Sequence, residues 1–335
     1  RLRDPALDPA LALERPADAA RAAVLLSESS PAIQEVNKRI GNAGVAFKNV
    51  ISNGLVLDKN GNKMSKSKGN VVNPFETLAK YGPDIVRWYM IENAPPWDNL
   101  KFDFDGIAEV QRRFFGTLQN TYSFFALYAN IDGFVKDEMN VSTDSLTNLD
   151  RWILSKLQSL IVEVSSAYED YEPTRAARAI QEFVNDHLSN WYVRLNRKRF
   201  WKPGSLDDQL AEGAQAMTAD KKAAYETLYE CLMVTAQLMA PIAPFFSEWL
   251  YRNLSDNIRD RAQKNNTPLR HPSIHMTDLT MAETARIDRD LESSMDYAQR
   301  ICSLVHSIRK NSKINAPNVV IAVDLRAIRD LVLTK

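Results

Sequence analysis

Residues 58–70 read DKNGNKMSKSKGN. Lys59, Lys63, Lys66 and Lys68 are interleaved with Gly, Asn and Ser, directly after the apolar run Leu55, Val56, Leu57. The stretch upstream, NVISNGLVLD at 49–58, is β-branched and apolar and predicts a strand. Asn60-Gly61 is a turn signal. Downstream, Asn73-Pro74 opens a helix with Pro74 at its first position. Gly82-Pro83 breaks that helix, and DIVRWYMIEN at 84–93 starts another. Residues 47–93 therefore read as strand, basic loop, helix, helix. No partner strand is evident elsewhere in the chain, so unpaired backbone groups are expected along the strand at 48–57.

Beyond residue 105 the pattern changes to long helices. Ile107, Val110, Phe114, Phe115, Leu118, Tyr122, Phe125 and Leu127 mark one over 106–131. Trp152, Ile153, Leu157, Leu160, Ile161 and Val164 mark another over 150–168. Pro173 opens a third, with apolar positions Ile180, Phe183, Val184, Leu188, Trp191, Tyr192 and Leu195. Residues 221–240 and 287–308 give two more, and the loops at 136–148, 202–220 and 255–285 are polar. This pattern predicts an antiparallel bundle. The run VVIAVDL at 319–325 reads as a strand opening a further unit. Residues 1–45, rich in Ala, Pro and Arg, admit only a short helix at 17–26 and carry no signal-peptide pattern.

A length of 335 residues allows two domains at about 150 residues each. Apolar residues at 45% and charged residues at 25% suit a globular core. Lys+Arg and Asp+Glu both number 42, so an anionic partner must be met by a local patch. One such patch is Arg194, Arg197, Lys198, Arg199 and Lys202, with no acid between them. It reads equally as a phosphate-binding stripe or as a solvated helix end whose cations complement the dipole. Of the aromatics beside it, Trp191 and Tyr192 fall on the core period, which leaves Trp201 open to base stacking. Cys231 and Cys302 lie in separate helices and fit a reducing cytoplasm better than a disulfide framework. No apolar run reaches the ~18 residues of a membrane span. His271 and His275 are separated by Pro272 and have no third ligand nearby, so no metal site is expected.

The lysine loop carries its own chemistry. Lysine ammonium groups are compact charges suited to phosphate, and Ser65 and Ser67 add hydroxyl donors. Such a loop can close over a polyphosphate, although a solvated hairpin has the same composition. The chain contains neither a Walker A string nor a Gly-x-Gly-x-x-Gly turn. The string KMSKS resembles the signature loop of the class I aminoacyl-tRNA synthetases. SNGLVLDKNGNKMSKSKGNVVNPFETLAKYGPDIVRWYM, NLDRWILSKLQSLI and LSNWYVRLNRKRFW are similar to the isoleucine type within that family. The resemblance runs from about residue 46 to about 310.

The resemblance implies a mainly α fold: an antiparallel helix bundle of the anticodon-binding type, preceded by a small incomplete α/β remnant of a Rossmann-like catalytic domain. It implies boundaries at 46–104 for the remnant, 105–285 for the bundle and 286–335 for a last helix and further unit. It implies ATP, with Mg, isoleucine and tRNA(Ile) as substrates and partners, and no membrane. Lys63 and Lys66 would contact the ATP phosphates, with Lys66 stabilising the departing pyrophosphate. Met64, Gly54 and Leu55 would lie by the adenine, and Ser65 and Ser67 would shape the loop. Arg194, Arg197, Lys198, Arg199, Lys202 and Trp201 would meet tRNA.

The chain departs from the family in two respects. The family's His-x-Gly-His string is absent, and residues 1–45 look unrelated to it. The chain is therefore expected to be a C-terminal piece of a synthetase, inactive without the other half of the site. The valine type and a non-catalytic RNA-binding helical protein with a vestigial loop are the alternative readings.

Overall fold

Asn73 accepts a hydrogen bond from the Phe75 N–H (3.0 Å), and Pro74 occupies the first position of helix α1, Pro74–Tyr81. Proline fits there because that N–H has no partner within a helix. Gly82, at φ +83°, ends α1 and turns the chain into α2, Pro83–Asn93. The computed structural model describes residues 49–136, 145–201 and 217–311, and divides into two units after Ile287. The short helix read at 17–26, the strand at 319–325 and Lys202 lie outside the described residues.

The strand expected over 48–57 is shorter than its apolar run, and it has a partner. Only Val56–Leu57 forms a ladder (β1), paired in parallel with Leu100–Lys101 (β2). The Leu100 N–H donates to the Leu55 carbonyl (2.9 Å) and the Phe102 N–H to the Leu57 carbonyl (2.8 Å). Two residues are too few to show a period, so β2 carries no sequence signal. Parallel strands need a crossover of a dozen or more residues. The lysine loop, α1 and α2 together form it.

The bundle follows. Helices α3 (Phe104–Val110) and α4 (Gly116–Ile131) are joined by a π-helical turn, Gln111–Phe115. Next come α5 (Asn148–Glu169) and α6 (Pro173–Glu182). A π-helical stretch, Phe183–Val193, leads into α7 (Arg194–Trp201). Then come α8 (Ala219–Met239), α9 (Pro244–Leu254) and α10 (Asp256–Lys264). The last falls within a segment that reads as polar loop. Ala176 and Ala177 on α6 are fully buried, as are Trp152, Ile153, Leu157 and Val164 on α5. Small residues on α6 let the two helices pack closely along this face. In the second unit, α11 runs Arg289–Asn311 and starts where Asp288 accepts from the Leu291 N–H (2.9 Å).

The π stretch corrects the register of the third predicted helix. Wider i→i+5 turns bury Ile180, Val184, Leu188, Tyr192, Asn196 and Phe200, a spacing of four. Tyr192 is core as expected. Leu195, placed on the apolar face by a 3.6-residue period, is 52% exposed.

Helix α2 is tied to the bundle at both ends. At its C-terminus, the Thr174 hydroxyl donates to the carbonyls of Ile91 (2.6 Å) and Ala94 (3.1 Å). Arg178 donates to those of Glu92 (3.0 Å) and Asn93 (3.2 Å). These are the carbonyls a helix end leaves unpaired, and a cation there complements the dipole. At its N-terminus, the buried Asp84 accepts from the Phe246 N–H (2.6 Å) and from Arg87, whose Nε donates to the Ile242 carbonyl (3.1 Å). Helix α9 has no side-chain cap of its own, so Asp84 supplies one from another helix. In the middle, Trp88 is fully buried and stacks on Phe114 at 4.3 Å.

Asp150 ties α5 to α7. It forms a capping box with Thr147 and accepts from the Tyr192 hydroxyl (2.7 Å) and Arg199 (2.9 Å). Burial opposes its ionisation, but the hydrogen bonds of Arg199, Tyr192 and Thr147 outweigh burial and hold its carboxyl below the usual range. Replacing Asp150 by Asn removes one of the two carboxylates that pair with Arg199 and leaves Asp220 as the other, and is expected to cost about 2 kcal/mol in denaturant unfolding at pH 7. Because the folded carboxyl is the stronger acid, its stabilisation is complete above 3.8 and is lost as the pH falls through the lower folded value. The difference between wild type and Asp150→Asn should therefore shrink below pH 3.8.

Candidate functional site

The lysine loop leaves β1 at Asp58 and returns at Asn70. Asp58 begins a tight turn: its Oδ1 accepts from the N–H groups of Asn60 (3.0 Å) and Asn62 (2.8 Å). Gly61, at φ +84°, takes the left-handed conformation that turn needs. Lys63 then bridges back to Leu57 in antiparallel sense. Ser65 caps a short 3-10 turn, Lys66–Lys68, accepting from the Lys68 N–H (3.3 Å), and its hydroxyl lies 2.8 Å from that of Ser67. Gly69, at φ +66°, ends the turn.

Asn70 closes the loop. Its Oδ1 accepts from the Ser65 N–H (2.9 Å), and its Nδ2 donates to Asp58 Oδ2 (2.9 Å) and to the Lys63 carbonyl (3.3 Å). The Asn70 side chain, with the N–H groups of Asn62 and Asn60, keeps the Asp58 carboxyl below its ordinary value. Lys63, Lys66 and Lys68 are exposed, and Met64 and Ser65 are half-buried. The backbone is thus tied by its own polar side chains while the ammonium groups face solvent, an arrangement suited to a polyanion. Asp58 and Asn70 were not singled out in the sequence. The available signal was an Asp before Asn-Gly, where Asx side chains bond the backbone two residues on.

Gly54 and Leu55 sit where β1 meets the segment before β2. The Gly54 N–H donates to the Pro96 carbonyl (2.8 Å), and the Leu55 N–H to Asn99 Oδ1 (2.8 Å). A Cβ at Gly54 would lie 2.0 Å from the Asp98 carbonyl oxygen, so only glycine allows this approach. Leu55 has its amide engaged and its side chain exposed.

The basic stripe divides. Arg194, Arg197, Lys198 and Trp201 are exposed and, at i, i+3, i+4 and i+7, share one face of α7. Arg199 turns inward. Its side chain is 13% exposed and pairs with Asp150 (2.9 Å) and Asp220 (2.8 Å), so it is a structural cation rather than part of the outer face. Trp191 is half-buried. No hydrogen bond or ion pair joins the stripe to the lysine loop among the described residues.

The remaining candidates resolve simply. His271 Nδ1 lies 3.0 Å from the Met276 carbonyl, and His275 Nε2 lies 3.2 Å from that of Pro244. Cys231 is fully buried, and burial pushes its thiol well above the ordinary value. Among the described residues no three His, Cys, Asp or Glu side chains are grouped to hold a metal ion, and no helix is long and apolar enough to cross a membrane.

Comparison with known proteins covers both regions. The family model described as the anticodon-binding domain of tRNA ligase matches residues 150–323. That for tRNA synthetases of class I (I, L, M and V) matches 35–103. The isoleucine--tRNA ligase of Cytophaga hutchinsonii is 62% identical over 266 residues, 79% of this chain and 22% of the relative. That of Bacteroides thetaiotaomicron is 53% identical over 276 residues, 82% and 22% of the two chains. That of Thermus thermophilus is 41% identical over 269 residues, 80% and 24%. The chain thus spans about a fifth to a quarter of the length of these relatives. Two solved structures share the fold at 18% identity. A LeuRS–tRNA–LeuAMS ternary complex from Agrobacterium radiobacter has a TM-score of 0.54, over 76% of this chain and 27% of that one. The Mycobacterium tuberculosis methionyl-tRNA synthetase with methionyl-adenylate has a TM-score of 0.53, over 68% and 42%.

Gly54→Ala is expected to open the β1–β2 joint. Amide exchange at Leu100 and Phe102 should accelerate, while that of buried Leu157 on α5 stays as in the wild type.

Proposed function

We propose, from the premise that this chain belongs to the class I tRNA synthetases, that it is the part of an isoleucine--tRNA ligase carrying the phosphate-binding loop and the tRNA-binding bundle. The observation that carries the reading is the loop itself. The lysines of KMSKS stand exposed on a stem tied to a parallel strand pair, within a segment whose relatives are named isoleucine--tRNA ligases at 52–62% identity.

In the first reaction the isoleucine carboxylate attacks the α-phosphorus of ATP. The bond to the bridging oxygen breaks, giving isoleucyl-adenylate and pyrophosphate. In the second a ribose hydroxyl of tRNA(Ile) takes the acyl group and releases AMP. Lys63 and Lys66 neutralise the charge that gathers on the leaving pyrophosphate, with Lys66 the principal donor. Ser65 and Ser67, bonded to each other and to the Lys68 N–H, hold the shape of the turn. Met64 and the backbone at Gly54 and Leu55 border the adenine. Mg2+ would be held by the ATP phosphates and would add to the neutralisation of their charge. The amino-acid pocket and the rest of the activation site come from a stretch of the synthetase that this chain does not span.

Arg194, Arg197 and Lys198 meet the tRNA backbone, with Trp201 on the same face available to stack on a base. The protein is neutral overall, so this local face rather than net charge supplies the attraction. On this reading the protein works in the cytoplasm, where it meets tRNA.

Two measurements test this. With the remainder of the synthetase supplied, Lys66→Ala is expected to lower isoleucine-dependent pyrophosphate exchange by roughly 100- to 1000-fold and to leave tRNA affinity unchanged. Unaltered exchange would refute the assignment. Replacing Arg197 and Lys198 together by Ala should weaken tRNA binding and flatten the plot of log affinity against log salt by about 1.5. An unchanged slope would remove α7 from the interface.

A further inference from the structure

The loop's exposed lysines depend on a stem the family motif does not include. Asn70 spans Met64, holding the Lys63 carbonyl on one side and the Ser65 N–H on the other. A carboxamide can do this only in one orientation, with Nδ2 toward the carbonyl and Oδ1 toward the N–H. Asp58 imposes that orientation. An ionised carboxylate only accepts hydrogen bonds, and its Oδ2 lies 2.9 Å from Asn70 Nδ2. Its other oxygen is occupied by the N–H groups of Asn60 and Asn62. The only acidic residue in 58–70 thus binds the stem instead of pairing with Lys63 or Lys66.

We propose that Asp58 and Asn70 are positioning residues, a carboxylate–carboxamide latch that sets the register of the lysine loop and presents Lys63 and Lys66 to a polyphosphate. The assignment rests on the reading of this loop as the phosphate-binding element. The latch acts before the ligand arrives. It fixes the peptide groups on both sides of Met64, so less backbone freedom is lost when the anion binds. It also directs the Ser65 N–H inward, which leaves the Ser65 hydroxyl to cap the turn at Lys66–Lys68.

Electrostatics and positioning predict opposite signs. Asp58→Asn removes a negative charge from the base of a cationic loop, which by Coulomb attraction alone tightens anion binding. The latch requires the reverse, because an Asn at 58 no longer dictates which way Asn70 faces. The probe is inorganic pyrophosphate, titrated into the 335-residue chain at fixed ionic strength and followed by the amide resonances of residues 63–68. Asp58→Asn and Asn70→Ala are each expected to bind about fivefold more weakly, the effect of losing one net hydrogen bond, with an unchanged thermal midpoint. Lys66→Ala, which leaves the latch intact, should weaken binding without disturbing the slow exchange of the Ser65 amide. Affinity that rises or stays constant in Asp58→Asn overturns the latch, as does wild-type affinity in Asn70→Ala. If Lys66→Ala binds like wild type, or if the wild-type chain does not respond to pyrophosphate, the phosphate reading of the loop fails and the latch with it.

Discussion

A helix cannot satisfy its own ends, and in this protein that constraint joins the loop-bearing segment to the bundle. Helix α2 leaves its last carbonyls to Thr174 and Arg178 on α6, while its first turn gives Asp84 to the start of α9. Each helix supplies what the other lacks, so separating them would expose unpaired groups on both. Trp88, fully buried against Phe114, places the apolar contact between these two polar joints. Since α2 also closes the β1–β2 crossover, the orientation of the strand pair follows from the same contacts.

That rigidity stops at the loop. From Asp58 to Asn70 the chain buries little, and its hydrogen bonds are almost all local. An apolar-packed loop would have to bury its lysine stems. One tied by Asp, Asn and Ser side chains keeps the backbone ordered and the ammonium groups in water. The opposite choice is made at Arg199, whose guanidinium is enclosed by Asp150, Asp220 and Asn196. Burial depresses a guanidinium's affinity for its proton, but the bonds to Asp150 and Asp220 outweigh this and raise it. Neighbouring cations on one short helix therefore do different work, according to the direction each side chain leaves the backbone.

Much of the fold was legible because it rests on local chemistry. The Asn73-Pro74 start, the Gly82-Pro83 break and the apolar spacing of α5 each depend on residues within a few positions of one another. The KMSKS string was legible for the same reason, since its lysines and its Asn-Gly turn are adjacent in the chain. What could not be read depends on partners distant in sequence. β2 is a strand only because Leu100 and Phe102 find the carbonyls of Leu55 and Leu57. Leu195 left the apolar face because a π-helical stretch widened the turn, and the core that imposes it lies on other helices. The sequence alone determined the existence of the long helices, the turns and the cationic loop, all fixed by short-range sterics and hydrogen bonding. Tertiary structure alone decided which cations face out, which strand pairs with which, and which groups cap which helix, because buried polar groups must find partners wherever the packed chain brings them.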